Sequence, residues 1–583
     1  MDITTFPRHP KGSAARVLLS SVFGPYAQDD AYGSRRINPM ELYHNQVTRA
    51  QGGYSLRMFH RSWGLMMIQA NLQAPVTLLD FPTLERFEEE LRTVPYDVVG
   101  ISAIVPNVDK VKKMCELVRR HQPQATIVVG GHLANLAGLA ERVDADHVVR
   151  GEGVRWFRAF LGEPADAPVR HPLIMSAFGA RTMGVPFGQG KQETAATVIP
   201  SVGCPLGCNF CSTSAMFGGK GRFVSFYEDG DALYEVMRGI EERLGVRSFF
   251  VMDENFLLHR KRALRLLERM QEHGKAWALY VFSSANALRL YTDEQLVQLG
   301  ISWVWLGLEG ENSEYRKLDG TDSRALVMRL QLLGIRVLGS SIVGLLEHTP
   351  ENIDRAIDHA VAHDTEFHQF MLYTPVPGTP LHAEHQANGT LLSSDEIPEA
   401  DVHGQLRFNF RHPSIRHGEE TEYLLRAFRR DFEVNGPAVT RIARTLLRGH
   451  LALRRHPDPR VRDRVLFETK DLPTQYAGAL WASERWFRKS PLLVARLRAV
   501  RRGIERTFGW TARLAARLVG PVVLFTLWRE ERALRAGKTY EPPTFYDANP
   551  AAAARPEMAG RGAAACRWVE PVAAEPEAKQ AVA

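Results

Sequence analysis

Three cysteines on one short loop are the residues of this chain best suited to chemistry. Cys204, Cys208 and Cys211 are separated by three residues and then by two, and they are three of the five cysteines in the chain. Thiolate is a soft ligand that suits iron–sulfur clusters or zinc, and three thiolates leave a four-coordinate site one ligand short. A structural zinc site closes with a fourth Cys or His at short spacing, and none follows until His259. The spacing therefore favours an iron–sulfur cluster with an open coordination position.

Length and composition limit the class of protein. A chain of 583 residues, 45% hydrophobic and 24% charged, is long enough for about three or four domains. Its few cysteines argue against a disulfide scaffold and for a reducing compartment, so we expect a cytoplasmic protein. The first residues contain no apolar stretch of signal-peptide length, and no run of about 18 apolar residues predicts a transmembrane helix.

The first 160 residues alternate short apolar runs with helical patterns. Buried strands are predicted near residues 16–23, 76–81, 97–105, 126–131 and 147–152. Continuous apolar strands separated by helices predict a parallel sheet covered on both faces, with ligands bound at the carboxyl ends of its strands. Those ends carry five candidate ligand-binding residues, namely Ser102, Gly130, Gly131, Gly151 and Glu152.

The rest of the chain changes character twice. Residues 161–195 are rich in Pro, Gly and Ala and predict a linker. Strand and helix patterns then alternate to about residue 400, with six strands predicted near 197–200, 248–252, 277–282, 303–307, 337–343 and 367–373. Six such units predict a partial barrel whose functional groups lie at the carboxyl ends of the strands. Residues 401–550 are helical in pattern, and the Ala-, Pro- and Glu-rich residues 551–583 predict disorder.

The cysteine loop, with Phe210 before its last cysteine and Val198-Ile199-Pro200 ahead of it, resembles the radical S-adenosylmethionine (SAM) superfamily. In that family the three cysteines bind a [4Fe-4S] cluster whose unique iron binds SAM and reductively cleaves it to a 5'-deoxyadenosyl radical. The resemblance implies that Cys204, Cys208 and Cys211 are the cluster ligands. It also implies an electron donor such as flavodoxin or ferredoxin as a partner.

The resemblance extends to polar residues that follow the strands of the predicted barrel. Asp253-Glu254-Asn255 stands where the family has a Gly-Gly-Glu-like motif for the SAM amino group, although the glycines are missing. The segment from Ser340 to Glu347 resembles the Gly-x-Ile-x-Gly-x-x-Glu motif of the fifth strand. The implied SAM contacts are Asp253, Glu254, Ser283, Asn286, Glu309, Ser341 and Glu347. The sequence assigns no catalytic side chain beyond these.

The sheet ahead of the cysteine loop resembles the cobalamin-binding domain of cobalamin-dependent radical SAM enzymes. Gly130-Gly131 after one strand and Gly151-Glu152-Gly153 after the last are the matching details, so the five strand-end residues become candidate cobalamin contacts. The Asp-x-His-x-x-Gly signature is absent after the first strand, which continues as Phe23-Gly24-Pro25-Tyr26. The resemblance therefore implies cobalamin without a cobalt-ligating histidine from that motif.

Together these patterns predict an α/β protein: a flavodoxin-like, doubly wound cobalamin-binding domain (1–160), a linker (161–195), a partial (β/α)6 radical SAM barrel (196–400), a mostly helical C-terminal region (401–550) and a disordered tail (551–583). The segment from Gly24 to Gln73 is too long for an ordinary connection and predicts a lid or a substrate loop. His359 and His363 are spaced to bind a metal, but no third ligand is evident, so we expect a surface pair.

Basic charge is concentrated between Glu484 and Lys538, where fourteen Lys or Arg stand against four acids. Aromatic and aliphatic residues interleave with them between Trp486 and Trp528, as in an interfacial membrane helix. The alternative is a helix packed on the barrel with a solvated basic face. No recognition motif for nucleic acid accompanies the patch, so none is expected as a partner. We expect peripheral contact with the inner membrane face, and removal of the residues after about Leu480 would abolish it.

The resemblance implies an enzyme, a cobalamin-dependent methyltransferase that methylates an unactivated carbon. The basic, aromatic C-terminal segment favours a lipid or lipid-linked small molecule as substrate. Two alternatives remain open: a non-methylating cyclisation or rearrangement on the same scaffold, and a corrinoid-sensing regulatory protein. Sequence does not separate the first alternative, because the methyl group is carried by cobalt and not by a diagnostic side chain.

Overall fold

The structure, a computed structural model, describes residues 7–24, 32, 47–188, 193–308, 322–538, 540 and 542–549, and two short strands at 564–565 and 568–569. Five parallel strands form the N-terminal sheet: β1 (Val17–Ser21), β2 (Val76–Asp80), β3 (Val98–Ser102), β4 (Thr126–Gly130) and β5 (His147–Val148). Their spatial order is β2-β1-β3-β4-β5, the flavodoxin-like order that the sequence predicts. Such sheets bind ligands where the order reverses, at the carboxyl ends of β1 and β3.

Helices cover both faces of this sheet. Strands β1 and β2 are buried at every residue, as strands between two helical layers must be. One layer consists of helices Leu84–Thr93, Val108–His121 and Leu139–Val143, and the other of Trp63–Ala70 and Gly153–Phe160. The apolar side chains of each layer close one hydrophobic cluster on its own side of the sheet.

The C-terminal part of the chain returns to this first sheet. Strand Phe545–Ala548 pairs antiparallel with β2, and Ala564–Ala565 pairs with that strand in turn. Trp568–Val569 pairs with His171–Pro172. Residues 545–548 therefore belong to the N-terminal sheet, although we predicted a helical region there, and two short strands lie within the stretch predicted to be disordered. These strands are two to four residues long, too short for a hydrophobic period to reveal them.

Six parallel strands form the second sheet: β6 (Ala195–Val198), β7 (Ser248–Val251), β8 (Ala278–Ser283), β9 (Ile301–Gly307), β10 (Arg336–Val343) and β11 (Phe367–Leu372). Each pairs with the next, and β6 pairs on its other side with the short antiparallel strand Ile174–Met175. The sheet is thus the partial barrel that the sequence predicts. Its helices are Ser212–Met216, Gly230–Leu244, Arg260–Glu272, Ala285–Leu288, Asp293–Gln298, Ser323–Leu332, Ile353–Val361 and Pro380–Ala387.

Barrel side chains alternate between two environments. Val251, Val281 and Leu306 are buried against the surrounding helices. Phe250 and Phe282, which alternate with them, are only half-buried. Because successive side chains of a strand point to opposite faces, the second set lies on the concave interior of the barrel.

The segment after residue 47 lies across this interior. Strand Arg57–Phe59 joins Phe178–Thr182 and Val185–Pro186 in a small antiparallel sheet. Val47 and Leu56 pack against Trp303 and Leu338 of the barrel. The described part of the predicted lid or substrate loop therefore contacts the barrel, whereas its residues 25–31 and 33–46 lie outside the described residues.

The C-terminal region is helical up to residue 535. Its helices are Glu420–Asn435, Ala438–Leu453, Pro459–Thr469, Ala477–Trp486, Pro491–Phe508 and Trp510–Arg535, with a π-helical turn at Leu472–Tyr476. Of the helices in the described part of the chain, Trp510–Arg535 alone is long and apolar enough to cross a membrane by length and composition, with a mean hydropathy of 1.3 in its most apolar window. The sequence analysis did not predict a spanning segment here, because Arg513 and Arg517 interrupt the apolar run.

Candidate active site at the cysteine loop

The three cysteines lie on a loop between strand Ser201–Val202 and helix Ser212–Met216. Gly207, at φ +66°, lets the loop pass against the backbone of Lys220, with which a Cβ atom would collide. Cys211 directly precedes the helix, and its Sγ accepts a hydrogen bond from the Ser214 N–H at 3.4 Å. All three thiols are half-buried and none is in a disulfide.

This donor set fits a [4Fe-4S] cluster with one open iron. Three thiols on one loop match the cluster's need for soft ligands. Burial raises the pKa of the Cys204 thiol to about 11, so this group keeps its proton at neutral pH until a metal centre displaces it. Across the described residues, no three His, Cys, Asp or Glu side chains, these cysteines included, lie close enough together to hold a single metal ion.

Asp253, a predicted SAM contact after β7, is committed to contacts within the protein. One of its oxygens accepts hydrogen bonds from the Ser201 hydroxyl and the Arg262 guanidinium, and the other accepts the Asn255 N–H at 3.0 Å. The Asp253 and Arg262 side chains are 1% and 2% exposed. The structure thus gives Asp253 a positioning role, and no contact supports its predicted role as a SAM ligand.

Glu254, the next residue, has the opposite character. Its Oε2 atom is buried and has no hydrogen-bond partner in the described part of the protein. Burial raises the pKa of Glu254 to about 8, the negative charge of Asp253 adds to this, and the Gly203 N–H opposes it. Gly203 directly precedes Cys204, so the carboxyl group lies beside the cluster loop. An orphaned acceptor in that position fits the ammonium group of SAM.

The ends of β7 and β8 are tied together by one side chain. The amide of Asn255 donates to the Ser284 hydroxyl at 3.1 Å and accepts the Ser284 N–H at 3.2 Å. Ser283 and Asn286, two predicted SAM contacts, flank Ser284, the first at the end of β8 and the second in helix Ala285–Leu288. The two hydrogen bonds between Asn255 and Ser284, which we call the Asn255 clamp, therefore bring Ser283 and Asn286 to the same barrel rim as Glu254.

Two other predicted SAM contacts have different surroundings, and a third lies outside the described residues. Ser341 lies on the helix-facing side of β10, where its hydroxyl donates to Leu308 O at 2.8 Å. Its neighbour Ser340 points to the interior and donates to Gln369 at 2.7 Å. Of the two adjacent serines, Ser340 is thus the one on the interior side of the strand, and the role of Ser341 in SAM binding stays a prediction. Glu347 is exposed without a side-chain contact that supports its role, and Glu309 lies outside the described residues.

The candidate cobalamin contacts line the carboxyl edge of the first sheet. Ser102 ends β3 and lies in register with Gly130 of β4. Gly131, at φ +79°, approaches the next strand so closely that a Cβ atom would lie 2.5 Å from Ala103 O and 2.9 Å from Ser102 Oγ. Gly131 therefore lets the turn after β4 pack directly against the end of β3, which a residue with a side chain would prevent.

Gly151 and Glu152 follow β5 and have different surroundings. Gly151 faces the cluster region, since a Cβ atom on it would lie 3.7 Å from Met216 O. Glu152 caps helix Gly153–Phe160, accepting hydrogen bonds from the N–H groups of Val154 and Arg155. Both of its oxygens accept a hydrogen bond of the cap, and a contact of Glu152 with cobalamin stays a prediction.

The two candidate cofactor sites are in direct contact. His132 follows Gly131, and its Nε2 atom lies 3.1 Å from the Thr213 hydroxyl, two residues after Cys211. The Asn135 side chain donates to Ser212 O at 3.4 Å. The turn after β4 therefore rests on the helix that begins at the last cysteine. The sequence analysis named neither His132 nor Asn135, and the only available signal was their position after the glycine pair.

The histidine pair on helix Ile353–Val361 and its end is structural. His363 is 4% exposed, and its Nε2 atom lies 2.8 Å from the Ser323 hydroxyl. Its ring meets that of His359 edge to face at 5.1 Å. The expectation of a surface pair is wrong for His363, which is buried because helix Ser323–Leu332 covers it.

Two family models match this chain. The B12 binding domain matches residues 55–161, and the Radical SAM superfamily matches residues 198–360. The chain is 26% identical over 340 residues to an uncharacterized methyltransferase of Pyrococcus horikoshii, which covers 51% of this chain and 71% of that protein.

Two further relatives match over shorter stretches. The chain is 30% identical over 196 residues to the bacteriochlorophyllide d C-12(1)-methyltransferase of Chlorobaculum tepidum, covering 32% of this chain and 42% of the relative. It is 26% identical over 207 residues to the hopanoid C-2 methylase of Rhodopseudomonas palustris, covering 33% and 38%. The chain thus spans less than half the length of these two proteins.

Proposed function

We propose that this chain, which belongs to the cobalamin-dependent radical SAM enzymes, transfers a methyl group to an unactivated carbon of a hydrophobic, lipid-like substrate. Its cofactors are a [4Fe-4S] cluster, SAM and cobalamin. When bound, the cluster and SAM supply a 5'-deoxyadenosyl radical and cobalamin carries the methyl group. Two relatives bear the names of a methyltransferase and a methylase, which supports a methylating reaction.

One observation carries the proposal: the cobalamin edge and the cysteine loop touch. The contacts of His132 with Thr213 and of Asn135 with Ser212 connect the two edges at 3.1 and 3.4 Å. A radical site and a methyl donor serve the same carbon only if both are held close to it. Two rigid sheets whose functional edges meet through loops satisfy that requirement.

The residues at the rim divide the work of holding SAM. Glu254 accepts the ammonium group, because its buried Oε2 atom has no partner in the described residues. The Asp253–Arg262 pair holds the loop that presents Glu254. The Asn255 clamp on Ser284 keeps the ends of β7 and β8 in register with it.

Aromatic side chains on the barrel interior support a hydrophobic substrate. The rings of Phe282 and Trp305 stack at 4.9 Å, and Phe250 lies 5.7 Å from Phe282. Trp63, from the segment that crosses the barrel, meets Phe250 at 5.8 Å. A half-buried wall of rings suits an apolar substrate and excludes water from a radical.

The proposal also covers location and partners. Apolar substrates reside in membranes, so a cytoplasmic enzyme that acts on them benefits from peripheral contact with the inner membrane face. The basic segment between Trp486 and Trp528 is the candidate for that contact. A flavodoxin or ferredoxin supplies the electron that SAM cleavage requires.

The test uses anaerobically reconstituted full-length protein, dithionite and SAM labelled in its methyl group. With membrane lipid extract from a strain that lacks the gene, we expect label in the lipid fraction together with 5'-deoxyadenosine and S-adenosylhomocysteine. 5'-Deoxyadenosine without S-adenosylhomocysteine or lipid label would instead support the non-methylating alternative. Failure to cleave SAM at all would support the regulatory one.

Variants of single cysteines test the cluster assignment. Cys208→Ala should lose most of the iron and all SAM cleavage, because one of three ligands is gone. Cys115→Ala is the matched control, since Cys115 is a buried thiol in the first domain, outside the cysteine loop. A Cys208→Ala protein with a full iron content would contradict the assignment of Cys208 as a cluster ligand.

A further inference from the structure

Helix Trp510–Arg535 presents an apolar face to solvent. We call this the docking face, and it consists of Trp510, Leu514, Leu518, Val522, Phe525 and Trp528. Their exposed fractions run from 46% at Leu514 to 71% at Trp510. The spacing of four, four, four, three and three residues keeps them on one side of the helix. Large apolar side chains in a continuous exposed row mark an interaction surface.

The opposite side of the same helix is fixed to the protein. Ala512, Ala516 and Gly520 are buried, and a Cβ atom on Gly520 would lie 2.5 Å from the ring of Trp481. Near the other end, Glu531 accepts the Gly53 N–H at 2.9 Å. One side of the helix is therefore packed against the rest of the protein along most of its length. It cannot cross a bilayer without leaving these contacts, so its length and hydropathy do not make it a span.

Positive charge borders the docking face. Arg513, Arg517 and Arg529 are exposed on the same helix and form no ion pair within the described residues. Arg532 lies over the ring of Trp528 at 5.6 Å. Elsewhere in the basic segment some arginines are paired within the protein, as Arg501 is with Glu484 and Glu505, whereas Arg488, Arg502 and Arg506 are exposed. Positive charge without an ion-pair partner in the described residues therefore lies on the same helix as the exposed apolar side chains.

The distribution of charge on this helix indicates which kind of partner binds the docking face. The helix carries two acids, of which Glu530 is buried and Glu531 binds Gly53 and Arg535. A second copy of this chain docked on the face would bring arginines against arginines with no acid to compensate them. Anionic lipid headgroups supply that compensation, and the acyl boundary takes the apolar row.

We propose that the docking face lies in the surface of an anionic bilayer with the helix axis parallel to the membrane plane. The row spans about 27 Å at 1.5 Å per residue, with Trp510 and Trp528 at its two ends in the position that interfacial tryptophans prefer. This inference rests on the proposed function only in giving the contact a purpose, namely access to a substrate that resides in the bilayer.

Flotation of the full-length holoprotein with vesicles tests the proposal. We expect binding to phosphatidylglycerol-containing vesicles, little binding to pure phosphatidylcholine, and loss of binding as salt shortens the Debye length to about 3 Å at 1 M. The Leu518→Glu/Phe525→Glu variant should bind at least about 10-fold less, since both residues must leave the acyl boundary. The matched control is Met328→Glu/Leu332→Glu, which adds the same charge at residues 58% and 53% exposed on helix Ser323–Leu332.

The outcomes separate this proposal from the proposed function. Equal binding by the docking-face variant and the wild type would overturn it, as would binding indifferent to lipid charge. A wild-type dimer that the variant converts to monomer, without vesicle binding, would assign the face to a second copy. SAM cleavage with dithionite, measured in the absence of vesicles, should be the same for all variants. Methyl transfer that fails while vesicle binding persists would count against the proposed function alone.

Discussion

Asp253 and Glu254 are adjacent acidic residues whose side chains make different contacts. Both oxygens of Asp253 accept hydrogen bonds, from Ser201, Arg262 and Asn255. Glu254 has a buried oxygen without a hydrogen-bond partner in the described residues. Both residues follow the end of β7, and only the Asp253 carboxylate reaches Ser201 and Arg262. Substitutions at the two positions should therefore affect different properties of the protein.

Glu254→Gln should weaken SAM binding. The variant keeps the shape of the side chain but removes the carboxyl group, which loses its proton when it pairs with an ammonium group. We expect SAM affinity to fall at least about 10-fold, with iron content and thermal stability unchanged. Equilibrium binding of SAM to the anaerobic protein measures this. Unchanged affinity would remove Glu254 from the SAM site.

Asp253→Asn should instead destabilise the barrel. It leaves the buried charge of Arg262 without its counterion, which costs about 3–5 kcal/mol of unfolding free energy. The double variant Asp253→Asn/Arg262→Gln removes both charges and should recover most of that loss. Chemical unfolding of the three proteins compares them. Equal losses in the single and double variants would show that the ion pair is not the cause.

At the scale of elements, hydrophobic periodicity and residue spacing were enough to predict the strands of both sheets and the cysteine loop. All six barrel strands and the five strands of the first sheet coincide with apolar runs, and the cysteine loop was identified by spacing alone. Arg262 was missed because its partner Asp253 is reached only through folding. Ser340 and Ser341 show a second limit: the sequence shows where a strand lies but not which of two adjacent serines faces the interior.

Strand Phe545–Ala548 is a whole element whose position in the fold could not be predicted from the sequence around it. It completes the edge of β2 although more than 450 residues separate them, and no local pattern reports such a pairing. Asn549 strengthens the junction by accepting the Val76 N–H at 3.2 Å and donating to Ala74 O at 2.7 Å. The residues after about Leu480, which we expect to carry the membrane contact, therefore also complete the edge of the first sheet.

Truncation after Lys538 should loosen the cobalamin-binding sheet. It removes the partner strand of β2 and the ion pair between Arg61 and Asp547 at 2.6 Å. We expect amide exchange in β2 to accelerate at least about 10-fold while exchange in the barrel strand β9 stays unchanged. Truncation after Asn549, which keeps the strand, is the control. Equal exchange in β2 of both truncated proteins would show that the strand does not support the sheet.

At the scale of the whole molecule, the function and the membrane contact proposed above use the docking face and the barrel interior together to reach an apolar substrate. The helix that carries the docking face is attached to Gly53, and the segment around it continues to Trp63, which packs against the aromatic wall of the barrel. The proposed membrane contact and the proposed substrate chamber are thus joined by one short stretch of chain. A defect in docking should therefore reduce product formation by limiting access, without altering the chemistry at the cluster.

The Leu518→Glu/Phe525→Glu variant should consequently methylate poorly when the substrate is in anionic vesicles. Product formation depends there on the fraction of enzyme bound, which the two glutamates lower at least about 10-fold. With the same lipid extract dispersed in detergent, docking is no longer needed, and variant and wild type should incorporate labelled methyl equally. Lipid-fraction label measured in both preparations gives the comparison. A variant that is equally slow in detergent would indicate damage to the active site, and one that is equally fast on vesicles would show that docking does not serve the reaction.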